Sequence, residues 1–235
     1  FKSEDPNVDC QALIGEVAAI EMEAQEGSRR YFSGHIVRFA ALGKRGKYWL
    51  YEATIAPKLW HASRRSDFKI WQRKTVQDIG DEILGKNAIR YEWRIKQNLK
   101  DWEYKVQYGE TDLDFLTRLL EHEGIYYWFE HSKGGETLIL ADHFTTPESF
   151  AGYESIPFYP PDEAREDEDH YWDWQMARAP EPGKLSHSDY DFKKPSTDQS
   201  TESNDPRGHL FDQYEIYQYP GNYLESADGN QYAQA

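Results

Sequence analysis

The sequence predicts a mainly β, antiparallel protein that carries a small α+β insertion. Three features lead there. Short apolar and aromatic runs separated by glycine turns fill residues 1–66 and return after residue 171. Two helix signatures, each opened by Thr-x-x-Asp, lie between Thr75 and Gly124. The second helix runs straight into an aromatic hairpin.

In residues 1–66, the runs Val17–Glu23, Tyr31–Phe39 and Tyr48–Ala56 read as strands, with turns at Gln25-Glu26-Gly27-Ser28 and Gly43–Lys47. Pro57 ends the last of them, because proline cannot donate to a ladder. Such strands suit an antiparallel barrel or a sandwich.

Residues 67–142 form the insertion. Phe68–Trp71 is a short strand, and Thr75 with Asp78 caps a helix whose face is Val76, Ile79 and Ile83 and which Gly85 closes. Ile89–Ile95 is a mixed strand. Trp102–Tyr108 alternates cleanly, with Trp102, Tyr104, Val106 and Tyr108 on the apolar side. Thr111 with Asp114 then caps a helix whose Leu113, Leu116, Leu119 and Leu120 share one face, and Gly124 stops it. The following Ile125–Phe129 and the return Leu138–Ala141 are unbroken apolar runs around a turn at Ser132–Gly135. Successive strand residues point to opposite faces, so this hairpin is apolar on both. One face takes the helix, and the other needs cover from elsewhere in the chain or from another chain.

Residues 143–170 are an acidic, proline-containing connection. Residues 171–235 return to strands at Tyr171–Met176, Lys184–Phe192 and Gln213–Tyr219, around a polar loop Pro195–Gly208. The chain reads as a piece cut at both ends, closing on a helix-like start after Ser226.

The net charge of −15 argues against a nucleic-acid partner, whose phosphates demand clustered Lys and Arg. No apolar run is long enough to span a membrane, and no signal segment opens the chain. A single cysteine, Cys10, excludes an internal disulfide framework. The oddity is aromatic: 17 Tyr, 11 Phe and 8 Trp in an otherwise hydrophilic chain. Rings with polar tips suit half-buried surfaces, against a protein partner or a sugar.

No motif commits to catalysis, a cofactor or a metal. His122, His131, His143 and His170 lack zinc spacing, and the acidic run 162–169 lacks a calcium-loop pattern. Ser186-His187-Ser188-Asp189 places relay residue types side by side, where strand neighbours point apart. The carboxylates Glu110, Asp112, Asp114, Glu121 and Glu123 beside aromatic rings raise one alternative, a phage-tail-derived carbohydrate-active hydrolase with paired carboxyls and sugar platforms.

Several ordered stretches resemble one family. They are Tyr31–Val37, Lys58–Trp60, Phe68–Gln72, Thr75–Ile79, Val106–Asp112, Asp114–Tyr127 and Tyr217–Tyr223. Together they resemble VgrG, the spike protein of the type VI secretion system, over its N-terminal part, which is like a phage baseplate hub and the phage late control protein D. The resemblance implies antiparallel barrel-like hub domains: a first barrel at 1–66 lacking its opening strands, the α+β insertion at 67–142, the connection at 143–170, and the start of an incomplete second barrel at 171–235. It implies a structural role without catalytic, cofactor or metal residues. A homotrimeric ring would cap the tube of Hcp hexamers and carry the puncturing spike, with effector or adaptor proteins as further partners. Assembly would take place in the bacterial cytoplasm, with export by the type VI machinery into the medium or a target cell without a signal peptide.

Overall fold

The computed structural model describes residues 1–23, 29–149, 153–162 and 169–234. The turn expected at 25–28 and most of the acidic run 162–169 lie outside the described residues. The chain divides into two compact units, residues 1–121 with 125–171, and residues 122–124 with 172–235.

The first unit opens with β1 (Lys2–Ser3), a single-turn helix α1 (Cys10–Leu13), β2 (Val17–Glu23), β3 (Arg29–Arg45) and β4 (Tyr48–Ala56). They form one antiparallel sheet in the order β1-β4-β3-β2. The long β3 carries two register breaks, between Ile36 and Arg38 and between Ala41 and Gly43, and bulges of this kind curl a sheet. Pro57 ends β4 as expected and starts a 3-10 helix, Lys58–Arg64, which the sequence reading did not foresee.

The region expected as the insertion follows as β5 (Ser66–Trp71), α2 (Val76–Lys86), β6 (Tyr91–Arg94), β7 (Lys105–Thr111), α3 (Asp112–His122), β8 (Tyr126–Ser132) and β9 (Gly135–Ala141). Its main core gathers Val76, Ile79, Ile83 and Leu84 of α2, Phe115, Leu116, Leu119 and Leu120 of α3, and Leu138 and Leu140 of β9. Trp71 stacks on Phe115 with ring centroids 6.1 Å apart.

The caps are those expected. Asp114 N–H donates to Thr111 Oγ1 at 3.0 Å, and Gly124 takes φ +67° past the end of α3. Gly85, by contrast, does not close α2. The helix runs to Lys86, and Ala88 adopts the left-handed conformation, with Ala88 N–H bonded to Gly85 O and Ile89 N–H to Leu84 O.

At the start of α2, Thr75 and Asp78 form a complete capping box. Hydrogen bonds from the Thr75 backbone and hydroxyl hold the Asp78 carboxyl below the ordinary aspartate range. A depressed folded value contributes stability above the unfolded value, and that contribution disappears as pH falls through the folded one. Thr75→Ala is therefore expected to cost about 1 kcal/mol at neutral pH. The gap from the parent should narrow in acid, as urea midpoints measured across pH would record.

Of the two kinds of cover expected for the hairpin, the structure shows the one within the chain. In the sheet β6-β9-β8, β9 is the central strand, and Leu138, Ile139, Leu140 and Ala141 are all buried. Leu138 and Leu140 join the helical core with Phe129, and β3 packs on that same side of the hairpin near its turn. Ser33 N–H donates there to His131 Nδ1 at 3.2 Å. On the other side Ile139 and Ala141 are buried too, and Arg94 lies over the Trp128 ring, so the second apolar face finds its cover within the chain. Of the apolar residues of the hairpin, only Tyr126 and Tyr127 stay more than one-third exposed.

The second unit contains β10 (Lys184–His187), β11 (Thr201–Asn204), β12 (Glu215–Gln218) and α4 (Ser226–Tyr232). β10 lies between an antiparallel β11 and a parallel β12. β11 falls inside the expected polar loop: Thr-Glu-Ser-Asn carries no apolar alternation, and its pairing comes from the β10 ladder. Tyr171–Met176 forms no strand beyond a bridge between Tyr171 and Phe158, and Trp172 and Trp174 are exposed.

Candidate assembly interface

The apolar side expected of β7 exists, but it faces out. β5 and β7 form a two-stranded antiparallel ribbon with Phe68 opposite Tyr108 and Ile70 opposite Val106. Phe68 is 72% exposed and Tyr108 78%, and their rings meet edge to face at 5.2 Å. The inward side carries Trp71 and Gln107, both buried. Gln107 Nε2 donates to Asp112 Oδ1 at 3.0 Å, Asn87 Nδ2 donates to Oδ2 at 3.3 Å, and Lys86 Nζ lies 3.6 Å from the same oxygen. Asp112 therefore locks α3 onto β7 and the end of α2. The sequence reading had placed it among the carboxylates of the hydrolase alternative.

A buried polar knot lets the ribbon turn its rings outward, and Gly109 at φ +64° completes the arrangement. A Cβ there would lie 3.1 Å from Phe68 Cζ, so the ring rests on the glycine. Because both rings are outward, the double substitution Phe68→Ser, Tyr108→Ser is expected to shift stability by less than about 0.5 kcal/mol. A urea titration showing a larger loss would place these rings in the core.

Two further strands leave large apolar side chains uncovered. Val17, Ile20 and Met22 of the edge strand β2 are each more than half exposed. On and beside β12, Tyr214, Ile216, Tyr217 and Tyr219 are exposed too.

The stretch Tyr217–Tyr223 has a structural task. Tyr223 is buried, its hydroxyl donates to the carbonyl of His187 at 3.0 Å, and Gly229 admits the ring, since a Cβ there would meet Tyr223 Cζ at 2.6 Å. Asn222 takes φ +62°, and its N–H donates to Asp189 at 2.6 Å. Both sides of the motif thus anchor the second unit around one tyrosine.

The family profile of the phage tail baseplate hub (GPD) matches residues 1–235. The chain belongs to this hub family.

Among curated relatives, the hub chain is 41% identical over 232 residues to the type VI secretion system spike protein VgrG1c of Pseudomonas aeruginosa, covering 98% of this chain and 32% of that protein. To VgrG1a of the same organism it is 40% identical, again over 98% of this chain and 36% of the relative. The chain thus spans about a third of the length of these relatives. Among solved structures it superimposes, with a TM-score of 0.58 and 24% identity, on an E. coli component of the type VI secretion system described as similar to the T4 bacteriophage tail proteins gp27 and gp5. That match covers 68% of this chain and 44% of that one. The mainly β fold is accordingly that of tail-hub proteins.

On this hub four of the five carboxylates that had suggested hydrolysis are engaged in holding structure. Glu110 is paired with Arg118 at 2.6 Å, Asp112 is buried in the knot above, and Asp114 belongs to the α3 cap. Glu121 is exposed, and Glu123 is buried, with Tyr232 as a neighbour whose phenol is pushed up mainly by burial and further by the Glu123 charge. Nothing in the comparisons supports the hydrolase alternative.

The serine–histidine–aspartate neighbours also separate. Buried His187 lies 2.7 Å from Gly229 O, Ser186 bonds Glu215, and Asp189 accepts from Tyr190 and Asn222. His131 and His143 are likewise occupied with Ser33 and Thr145. Among the described residues no group of three His, Cys, Asp or Glu side chains is placed to hold a metal ion, and no helix is long and apolar enough to cross a membrane.

Proposed function

We propose that the chain is the hub of a type VI secretion spike, with a mechanical task. Three copies form a ring that caps the Hcp tube and transmits thrust to the spike it carries. The observation that carries this reading is the similarity at about 40% identity, along 98% of the chain, to proteins named as type VI spikes. The outward rings of β5–β7 and the uncovered β2 and β12 residues support it physically. An assembly subunit has use for apolar strand faces that a solitary protein would cover.

On this reading residues 1–66 belong to a first hub barrel, 67–142 to an insertion, 143–170 to a connection and 171–235 to the start of a second barrel. This region performs no catalysis, and effector or adaptor proteins would be carried by the assembled spike. The particle would assemble in the bacterial cytoplasm and leave through the type VI machinery.

The direct test is to centrifuge the full-length protein with preassembled Hcp tubes. It should pellet with the tubes, at tube ends by electron microscopy. A protein that stays in the supernatant overturns the capping role.

A further inference from the structure

We propose that a cleft in the first unit, walled by His35, Lys58, Arg90 and Glu136, is a binding site for a small oxyanion, the phosphate or carboxylate group of a ligand. The cleft lies where β3, the start of the 3-10 helix, the segment after α2 and the turn of the β8–β9 hairpin come together, and its volume is about 200 Å³. Pockets for whole drug-sized molecules run from about 300 Å³ upward, so this one suits a single charged group.

Its walls include two cationic residues outside the ion pairs that hold several others. Lys69, Lys86, Arg94, Arg118, Lys184 and Lys194 each face a carboxylate. Lys58 and Arg90 form no ion pair among the described residues, although the chain carries a net charge of −15. The carboxylate on the wall, Glu136, is turned to the backbone, accepting from Lys58 N–H at 2.7 Å. Two permanently cationic residues therefore line the cleft, with one carboxylate engaged beside them.

The histidines extend the same field. His35 packs edge-on against His61 with centroids 5.3 Å apart. His35 Nδ1 lies 2.9 Å from Gly15 O, and a carbonyl only accepts, so that nitrogen carries the proton. His61 is held below the ordinary histidine range, first by burial and then by the charges of His35 and Lys58. An oxyanion in the cleft would offset this crowding of positive charge and take charge-assisted hydrogen bonds. The inference stands independently of the trimeric hub.

The test is NMR of the histidine rings of the 235-residue chain, titrated in parallel with sodium phosphate and sodium acetate against sodium chloride at matched ionic strength. Phosphate or acetate should move the His35 and His61 resonances along a saturating curve that chloride does not reproduce. Saturation by phosphate alone would point to a phosphate-bearing ligand, and saturation by both to carboxylates as well, acidic side chains included. Lys58→Gln and Arg90→Gln should each weaken that binding at least about five-fold, with unchanged melting temperatures in chloride, as the loss of one charge-assisted contact implies. Shifts no larger than those in chloride, or folded variants that bind like the parent, overturn the proposal. The comparison with chloride decides on the unmodified chain even if a variant fails to fold.

Discussion

Leu116→Asp is expected to leave the first unit unfolded at room temperature. Leu116 is 1% exposed in the cluster that joins α2, α3 and β9. Removing its side chain alone would cost about 2–5 kcal/mol. The carboxylate that replaces it has no partner among leucines and Phe115, which adds several kcal/mol more. A domain's whole stability is about 5–15 kcal/mol, so little remains. Near-ultraviolet circular dichroism should lose its aromatic signal in this variant. A variant that melts with the parent would mean that this face of α3 does not line the core.

Gly34→Val is expected to have the next largest effect, through the backbone. Gly34 pairs with Ala18 across β2–β3, and its position faces β4 without room for a side chain. A Cβ there would stand 2.5 Å from Ala56 O and 2.9 Å from Ile55 Cγ2. A backbone oxygen cannot swing aside as a side-chain tip can, so β3 and β4 must separate. The neighbouring Ser33–His131 contact, which ties the first sheet to the hairpin, would be disturbed with them. Overpacking of this kind costs about 1–3 kcal/mol, and here the upper end applies. The urea midpoint should fall with little change in slope. An unchanged midpoint would contradict the close approach of the two strands.

How far the fold could be read in advance depended on whether its signals were local. The caps Thr75–Asp78 and Thr111–Asp114, the stop at Gly124 and the break at Pro57 act within one turn, and each stands where the residues indicated. Signals that depend on a neighbouring strand were silent. β11 is polar throughout and exists through the ladder of β10. Tyr171–Met176 has the composition of a strand and finds no ladder beyond one bridge.

Alternation in β7 correctly separated its two sides, but alternation cannot say which side is inward. A lone glutamine bonded to a buried aspartate reversed the usual assignment. The hairpin had left the cover of its second face open between its own chain and another, and the burial of Ile139 and Ala141 places that cover within the chain. The surfaces that speak for assembly are therefore the ribbon β5–β7, β2 and β12, and not the hairpin. The anion cleft was illegible altogether, because His35, Lys58, Arg90 and Glu136 come from four separate segments.

The claim on which the functional reading rests is that this hub works as a ring of three. Sedimentation velocity of the full-length protein at micromolar concentration tests it most directly. The expected result is one species of three times the chain mass. A single monomeric species under the same conditions would contradict it.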